Sequence, residues 1–210
     1  MKRPLLLALA LLLAAFPALA QDAQPPPSPA APPTLQQAYF AGGCFWCMQY
    51  AFDKVKGVKK TVVGYTGGQK ASPDYETVSS GSTGHAEAIE VDYDPTVVTY
   101  PQLLDAFWKN IDPTQVNGQF ADHGTQYRTA IFYRNDEEKK AAEASRDALA
   151  KGGKFDKPIA TQIVPAAKFY PAEDYHQGYY KTNTAHFNAY EIGSGRAGFL
   201  RRKWGTEFPH

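Results

Sequence analysis

The stretch Gly42-Gly43-Cys44-Phe45-Trp46-Cys47-Met48-Gln49 contains the only two cysteines of the 210 residues. An apolar segment precedes it at residues 37–41, which is typical of a short β-strand. Apolar side chains follow it at helical spacing, at Met48, Phe52 and Val55, and Gly57 suits the end of a helix. The pattern therefore predicts that a strand turns into a helix at Cys44.

Unpaired N–H groups and the positive end of the helix dipole point at such a position, and both favour a thiolate. The sequence thus predicts a lowered pKa and a nucleophilic role for Cys44. Cys47 lies one helical turn further on, close enough to attack whatever forms on Cys44. Two cysteines three apart at a helix start favour redox chemistry over a structural staple, because the loop that they could close is very small.

The N-terminus has the pattern of a secretory signal peptide over residues 1–20. Lys2 and Arg3 precede an apolar run at residues 5–16, and Ala18-Leu19-Ala20 fits the small-residue cleavage rule. Residues 21–34 are rich in Pro and Ala and have the composition of a linker. One folded domain is expected at residues 35–210. This organisation predicts a secreted protein of the bacterial periplasm without stable membrane insertion.

The charge balance excludes one broad class of function. The 22 basic and 21 acidic side chains nearly cancel, and removal of Lys2 and Arg3 with the signal peptide leaves about −1. Such a balance gives no electrostatic footprint for nucleic acid. We expect a monomer that does not bind nucleic acid.

Strand and helix patterns alternate irregularly after the cysteines. Strands are predicted at residues 58–65, 85–93, 125–133 and 160–166, and helices at 100–110, 136–151 and 171–181. Thr99 and Asn135 are suitable N-caps, and the tail at 182–210 is aromatic, basic and free of cysteine. The order favours an α+β domain with a mixed β-sheet and packed helices.

Glu87 lies near the start of a predicted strand that has small or apolar residues on either side of it. If its side chain is buried, the pKa of the carboxyl rises, and a carboxyl that is protonated near neutral pH can serve as a general acid. If its side chain faces water, Glu87 is an ordinary surface residue. The strand pattern leaves both interpretations open.

Five segments, taken together, resemble the type A peptide methionine sulfoxide reductases, a class that reverses methionine oxidation. They are GCFWC at 43–47, GYTGG at 64–68, YETVSSGSTGHAEAI at 75–89, DHGTQYRTAIFY at 122–133 and FYPAEDYHQGYY at 169–180. The segments occur in the family's order, and the resemblance covers nearly the whole predicted domain, from Tyr39 to about Tyr180. The resemblance implies a ferredoxin-like two-layer sandwich and an enzyme that reduces methionine S-sulfoxide, free or in proteins.

The resemblance also implies roles for single residues. Cys44 is similar to the nucleophile and Glu87 to the acid that protonates the sulfoxide oxygen. Tyr75 and Tyr127 match tyrosines that hydrogen-bond the same oxygen. Phe45 and Trp46 match a hydrophobic pocket for the ε-methyl group, and Asp122 matches a residue that orients the substrate.

Regeneration of the thiol is open to two interpretations. Many family members resolve the sulfenic acid with a cysteine in the C-terminal tail, and this tail has none. A Cys44–Cys47 disulfide reduced by a thioredoxin-like dithiol is expected on reach alone. Alternatively, Cys47 is a packed helix residue and an external thiol reduces Cys44 directly.

Three other classes of function use parts of the same sequence. An exported CxxC thiol–disulfide oxidoreductase would share the helix-start cysteines but leaves GHAEA and DHGTQYR without a role. A metal-binding module is not expected, because one CxxC is half a structural zinc site and the histidines form no tight ligand pair. A noncatalytic secreted binding domain would use the aromatics as a recognition surface. We expect neither a metal nor an organic cofactor, and His176 and His186 are interpreted as structural.

Overall fold

The computed structural model describes residues 34–205, so the predicted signal peptide and nearly all of the predicted linker lie outside the described residues. The strands are β1 Gln36–Gly42, β2 Val58–Thr66, β3 Ala86–Tyr93, β4 Gly118–Gln119, β5 Asp122–His123, β6 Thr129–Tyr133, β7 Gln162–Pro165 and β8 Tyr170–Pro171. The helices are α1 Phe45–Phe52, α2 Tyr75–Ser79, α3 Tyr100–Trp108, α4 Asp136–Lys151, α5 Tyr179–Thr182, α6 Thr184–Gly193 and α7 Arg196–Trp204. Two 3₁₀ turns span Thr125–Tyr127 and Asp174–His176.

Six strands form one mixed sheet in the order β7-β6-β1-β3-β2-β8. The pairs β6–β1, β1–β3 and β3–β2 at the centre of the sheet are antiparallel, and β7 pairs parallel with β6. The units β1-α1-β2 and β3-α3-β6 interleave, which is the split βαβ arrangement of ferredoxin-like folds. The predicted α+β class, with a mixed sheet and packed helices, is confirmed.

The register of the central strands decides which side chains face the helices. Phe40 of β1 pairs with Ile89 of β3, and these residues pack with Met48 of α1 and Phe107 of α3 in the main core. Since strand side chains alternate between faces, Glu87 lies on the same face as Ile89. Glu87 therefore points toward α1 and not toward water.

The opposite face of the sheet is also covered. Ala41, Ala88 and Phe132 are buried there, with Phe169 packed against them. Burial on both faces explains why β3 shows no clean alternation of apolar and polar residues. None of the helices within residues 34–205 is long and apolar enough to cross a membrane.

Two of the predicted helices, α3 and α4, begin as the caps predict. Thr99 and Gln102 form the capping box of α3, and the Asn135 side chain accepts a hydrogen bond from the backbone N–H of Glu138 at the start of α4. The predicted strand at 125–133 is shorter than expected, because its first residues form the 3₁₀ turn before β6.

The predicted helix at 171–181 is wrong, because the segment forms β8, a 3₁₀ turn and the start of the short helix α5. The Gln177 side-chain amide bonds to the backbone N–H and C=O of Val63 at 3.0 and 2.9 Å, continuing the pairing of β2 that β8 begins. These contacts hold the segment against the sheet edge, and Gly178 is left-handed at φ 64°. Beyond them the chain forms α6 and α7, where the sequence had predicted no element.

Candidate active site

A tight turn places Cys44 at the start of α1. Strand β1 ends at Gly42, Gly43 is left-handed at φ 79°, and Cys44 is the N-cap whose carbonyl accepts from the Cys47 N–H at 3.2 Å. A Cβ on Gly42 would lie 2.4 Å from the Met48 sulfur, so the turn has no room for a side chain there. The predicted passage from strand to helix at Cys44 is confirmed.

Eight side chains line a small cavity above this turn. They are Cys44, Phe45, Trp46, Tyr75, Glu87, Asp122, Tyr127 and Tyr190. The structure therefore brings together every site residue expected from the sequence except Cys47, which is not part of the cavity wall. The larger cavities lie elsewhere, one of them between β1, α3 and α4.

Glu87 is buried at the base of this cavity, with 3% of its surface exposed. Its Oε2 accepts a hydrogen bond from the Phe45 backbone N–H at 3.0 Å. Burial and, to a lesser degree, the neighbouring Cys44 raise the pKa of the carboxyl well above its ordinary value. The hydrogen bond from the Phe45 N–H lowers the pKa but does not offset these effects. Of the two interpretations open from the sequence, the structure favours the buried acid.

The predicted lowering of the Cys44 pKa is wrong. Cys44 occupies the helix start, but it is buried, and burial together with the contact to Cys47 raises the pKa of its thiol well above the ordinary value. The Arg196 guanidinium acts in the opposite direction but does not reverse the balance. Desolvation of the charged form is thus the largest influence on this thiol.

Two tyrosines complete the polar side of the cavity. Burial and the Glu87 carboxyl raise the pKa of Tyr75 to about 12 and move that of Tyr127 still further upward. Both phenols therefore keep their protons at neutral pH and can donate hydrogen bonds to an oxygen in the cavity.

The apolar side of the cavity is a fixed aromatic wall. The Trp46 ring stacks on Tyr179 at 3.8 Å between centroids, and its indole N–H donates to His176 Nδ1 at 3.1 Å. The His176 ring packs against Tyr75 and Phe45 and is buried. These contacts fit the structural role expected of His176 and hold Trp46 in one orientation.

Sequence reasoning missed two residues that contact this site. The Tyr190 hydroxyl donates a hydrogen bond to Asp122 Oδ2, and its ring meets Trp46 edge-on. Arg196 is buried beneath the turn before Cys44 and donates to the Gly42 carbonyl at 2.8 Å. Phe187 and Tyr190 are three apart, and this helical spacing in the tail was the signal that could have revealed α6.

The second cysteine lies behind the first, away from the cavity. Cys47 is 3% exposed and packs with Tyr50, Tyr180 and Phe187, and both cysteines are free thiols. Helix α6 thus covers the pair. Within residues 34–205, no group of three or more His, Cys, Asp or Glu side chains is arranged to hold a metal ion.

A thiol at a helix start, placed beside a buried carboxylic acid and two neutral phenols, defines a thiol-based oxidoreductase. The family model described as peptide methionine sulfoxide reductase matches residues 36–208. The chain belongs to the peptide methionine sulfoxide reductase family, and it is an enzyme.

Individual relatives and solved structures agree with this assignment. The chain is 54% identical to peptide methionine sulfoxide reductase MsrA of Bacillus subtilis over 81% of its own length and 96% of the relative's. It is similar to the reduced form of Mxr1 from Saccharomyces cerevisiae, with a TM-score of 0.66 and 36% identity over 71% of this chain and 86% of that one. Methionine sulfoxide reductase A of Corynebacterium diphtheriae aligns with a TM-score of 0.65 and 35% identity, over 73% and 77% of the two chains. The alternative of an exported CxxC thiol–disulfide oxidoreductase is not supported.

Proposed function

We propose that this enzyme reduces methionine S-sulfoxide, free or in proteins, to methionine, and that Cys44 is the nucleophile. The observation that carries the proposal is the shared cavity of Cys44 and Glu87, in which burial raises the pKa of both groups. A site that holds one proton on sulfur and one on a carboxyl is prepared for a reaction that protonates an oxygen while a thiolate forms.

In the first half-reaction, the Cys44 sulfur attacks the sulfoxide sulfur and Glu87 gives its proton to the sulfoxide oxygen. The thiol proton returns to the Glu87 carboxylate. The hydroxyl formed on the substrate sulfur then passes to the Cys44 sulfur. The substrate S–O bond and the S–S bond made in the attack both break, a Cys44 S–O bond forms, methionine leaves, and Cys44 becomes a sulfenic acid. The substrate sulfur gains two electrons and the Cys44 sulfur loses two. The thiol proton replaces the proton that Glu87 gave to the oxygen, so no net proton is consumed.

The remaining cavity residues stabilise this step. Tyr75 and Tyr127, both protonated, donate hydrogen bonds to the oxygen as negative charge develops on it. Phe45 and Trp46 enclose the ε-methyl group and exclude water, which strengthens those hydrogen bonds. Asp122, held by Tyr190, orients the substrate.

In the second half-reaction, the Cys47 thiol attacks the sulfenic acid, water leaves, and a Cys44–Cys47 disulfide forms. Sulfurs three residues apart in a helix must be drawn together, so the first turn of α1 has to distort. A thioredoxin-like dithiol then reduces the disulfide by thiol–disulfide exchange and becomes oxidised itself. No cofactor is needed in this scheme.

The setting that we propose follows from the N-terminal sequence pattern. Residues 1–20 are a signal peptide, residues 21–34 a linker and residues 35–210 the catalytic domain. The enzyme would act as a monomer in the bacterial periplasm.

The test uses peptides that carry either the S or the R epimer of methionine sulfoxide, with dithiothreitol as reductant and mass spectrometry as the readout. We expect the parent to convert the S epimer only, Cys44→Ser to be inactive, and Cys47→Ser to stay active because dithiothreitol can reduce the sulfenic acid directly. No conversion by the parent, or full activity of Cys44→Ser, would refute the proposal.

Replacing dithiothreitol with a thioredoxin tests the role of Cys47. Loss of turnover in Cys47→Ser under these conditions assigns the resolving step to Cys47. Retained turnover would make Cys47 a packing residue and leave the reduction of Cys44 to an external thiol.

A further inference from the structure

A buried cation lies beneath the Gly42-Gly43 turn that precedes Cys44. Arg196, the first residue of α7, is 2% exposed, and among the described residues no carboxylate pairs with it. Taking a charge out of water without a counter-ion is costly, so a buried unpaired guanidinium calls for a physical reason.

The hydrogen bonds of Arg196 connect it to the turn. Its Nη2 donates to the Gly42 carbonyl at 2.8 Å and its Nη1 to the Asn110 carbonyl at 2.5 Å. Its guanidinium also lies 4.7 Å from the ring centroid of Phe120. These contacts hold the end of β1, the residues after α3 and the β4–β5 turn together at one point.

The approach to the backbone is close. A Cβ on Gly43 would lie 3.0 Å from Arg196 Nη2. The positive charge is therefore packed directly against the residue that precedes Cys44.

The other groups around the thiol cannot supply positive charge. The titratable groups that line the cavity or interact electrostatically with Cys44 are Cys47 of α1, Tyr75 of α2, Glu87 of β3, Asp122 of β5, Tyr127 of the 3₁₀ turn, Tyr190 of α6 and Arg196 of α7. All except Arg196 are neutral or negative. When Cys44 becomes a thiolate, Arg196 is the one cation of this set that stabilises it.

We propose that Arg196 is a positioning residue of the active site: its guanidinium holds the turn before Cys44 and supplies the positive charge that stabilises the Cys44 thiolate. The Arg196 guanidinium, which has no carboxylate partner in the resting site, thus gains the Cys44 thiolate as its counter-ion during the reaction. The inference rests on Cys44 acting as the nucleophile of the proposed function.

The test measures the thiol alone, so that its result is independent of sulfoxide reduction. In a Cys47→Ser background Cys44 is the only cysteine, and its ionisation can be followed by the ultraviolet absorbance of the thiolate and by the rate of alkylation with iodoacetamide. The variants are Arg196→Met, Arg196→Gln and Arg196→Lys. The matched control is Arg201→Met, which removes the same charge from an exposed position of α7.

The variants separate charge from hydrogen bonding. Arg196→Gln removes the charge and keeps an N–H donor, whereas Arg196→Lys keeps the charge and loses the planar fork. We expect the pH midpoint of thiolate formation to follow the charge at position 196. Arg196→Met and Arg196→Gln should raise the midpoint and slow alkylation about tenfold at a fixed pH below it. Arg196→Lys and the control Arg201→Met should stay near the parent. Thermal stability should instead follow hydrogen bonding, with Met the lowest.

Equal midpoints in Arg196→Gln and Arg196→Lys would overturn the proposal, and this comparison holds even if Arg196→Met does not fold. The two proposals fail separately. If the Arg196 variants shift the midpoint as expected but the parent does not reduce methionine sulfoxide, the proposed function is contradicted and the link between Arg196 and the thiol stands.

Discussion

The Glu87 carboxyl accepts a hydrogen bond from the Phe45 backbone N–H, with 3.0 Å between Oε2 and the nitrogen. This bond ties β3 to the first turn of α1, immediately next to Cys44. Because Oε2 is the acceptor, we expect the proton of the neutral acid on the other oxygen, Oε1. The bond therefore decides which oxygen donates as well as where the acid lies.

Replacing the acid tests its role. Glu87→Gln keeps the shape and an N–H donor but cannot transfer a proton, and we expect kcat/KM with a methionine sulfoxide peptide to fall by about 10²–10⁴-fold, the usual contribution of a general acid. The parent rate should fall as pH rises through the raised pKa of Glu87, and the variant should lack that fall. Rates that are equally flat with pH in both proteins would refute the assignment.

The same carboxyl predicts a dependence of stability on pH. Burial raises the pKa of Glu87 in the folded state above its value in the unfolded chain. The stabilisation from the bound proton is therefore complete at acid pH and is lost as pH rises from the ordinary glutamate range through the raised value. Relative to the parent, Glu87→Gln should gain free energy of unfolding across that window, measured by urea unfolding at several pH values. A difference that does not change with pH would contradict burial of the acid.

The bond between Tyr190 and Asp122 predicts an effect on substrate binding. Tyr190→Phe keeps the ring against Trp46 and removes only the hydroxyl, which leaves the Asp122 carboxylate without this donor. Hydrogen bonds to charged groups are worth about 1.5–3 kcal/mol, so we expect kcat/KM to fall about 10–100-fold. Tyr175→Phe is the control, because Tyr175 is an exposed tyrosine outside the cavity wall. Equal kcat/KM values in both variants would contradict a role of the Tyr190 hydroxyl in holding Asp122 for the substrate.

Helix α6 is held over the cysteines mainly by Phe187. This side chain is 1% exposed and packs on Cys44 and Cys47, whereas most of the helix is exposed. Phe187→Ala should cost about 3–5 kcal/mol of packing, which loosens α6 and exposes Cys47. We expect faster alkylation of Cys47 in a Cys44→Ser background, with Ile192→Ala as the exposed control on the same helix. Unchanged alkylation after Phe187→Ala would show that α6 does not restrict access.

His176 predicts a second dependence on pH, with the opposite sign. Burial lowers the pKa of His176 against the influence of Glu173, so the folded state favours the neutral ring. Its contribution to stability is present above the ordinary histidine pKa and is lost as pH falls through the lowered value.

The test of this second dependence is His176→Phe. The variant removes the acceptor of the Trp46 N–H, which should cost about 1–3 kcal/mol at neutral pH, and the cost should shrink as pH falls. Thermal unfolding at several pH values measures it, and His186→Phe provides the exposed control. A cost that grows toward acid pH would contradict a neutral His176.

Local pattern was sufficient for much of the fold. The glycine turn before Cys44, the helix that follows it and the caps at Thr99 and Asn135 depend on neighbours in the sequence, and the structure confirms them. The prediction of a helix at 171–181 was wrong because the conformation of this segment depends on the hydrogen bond between Gln177 and Val63, which lie far apart in the sequence. Tail helix α6 was missed because its apolar spacing rests on only Phe187 and Tyr190.

The sequence by itself determined that a cysteine would stand at a helix start, that a glutamate would lie in a strand near it, and which family's motifs surround them. Only the tertiary structure decided the protonation state of these groups. The register of β1 and β3 turns Glu87 toward α1, and α6 covers Cys44. Local sequence places the thiol at a helix start, but its desolvation depends on residues more than a hundred positions away, and desolvation is the largest influence on the pKa of the thiol.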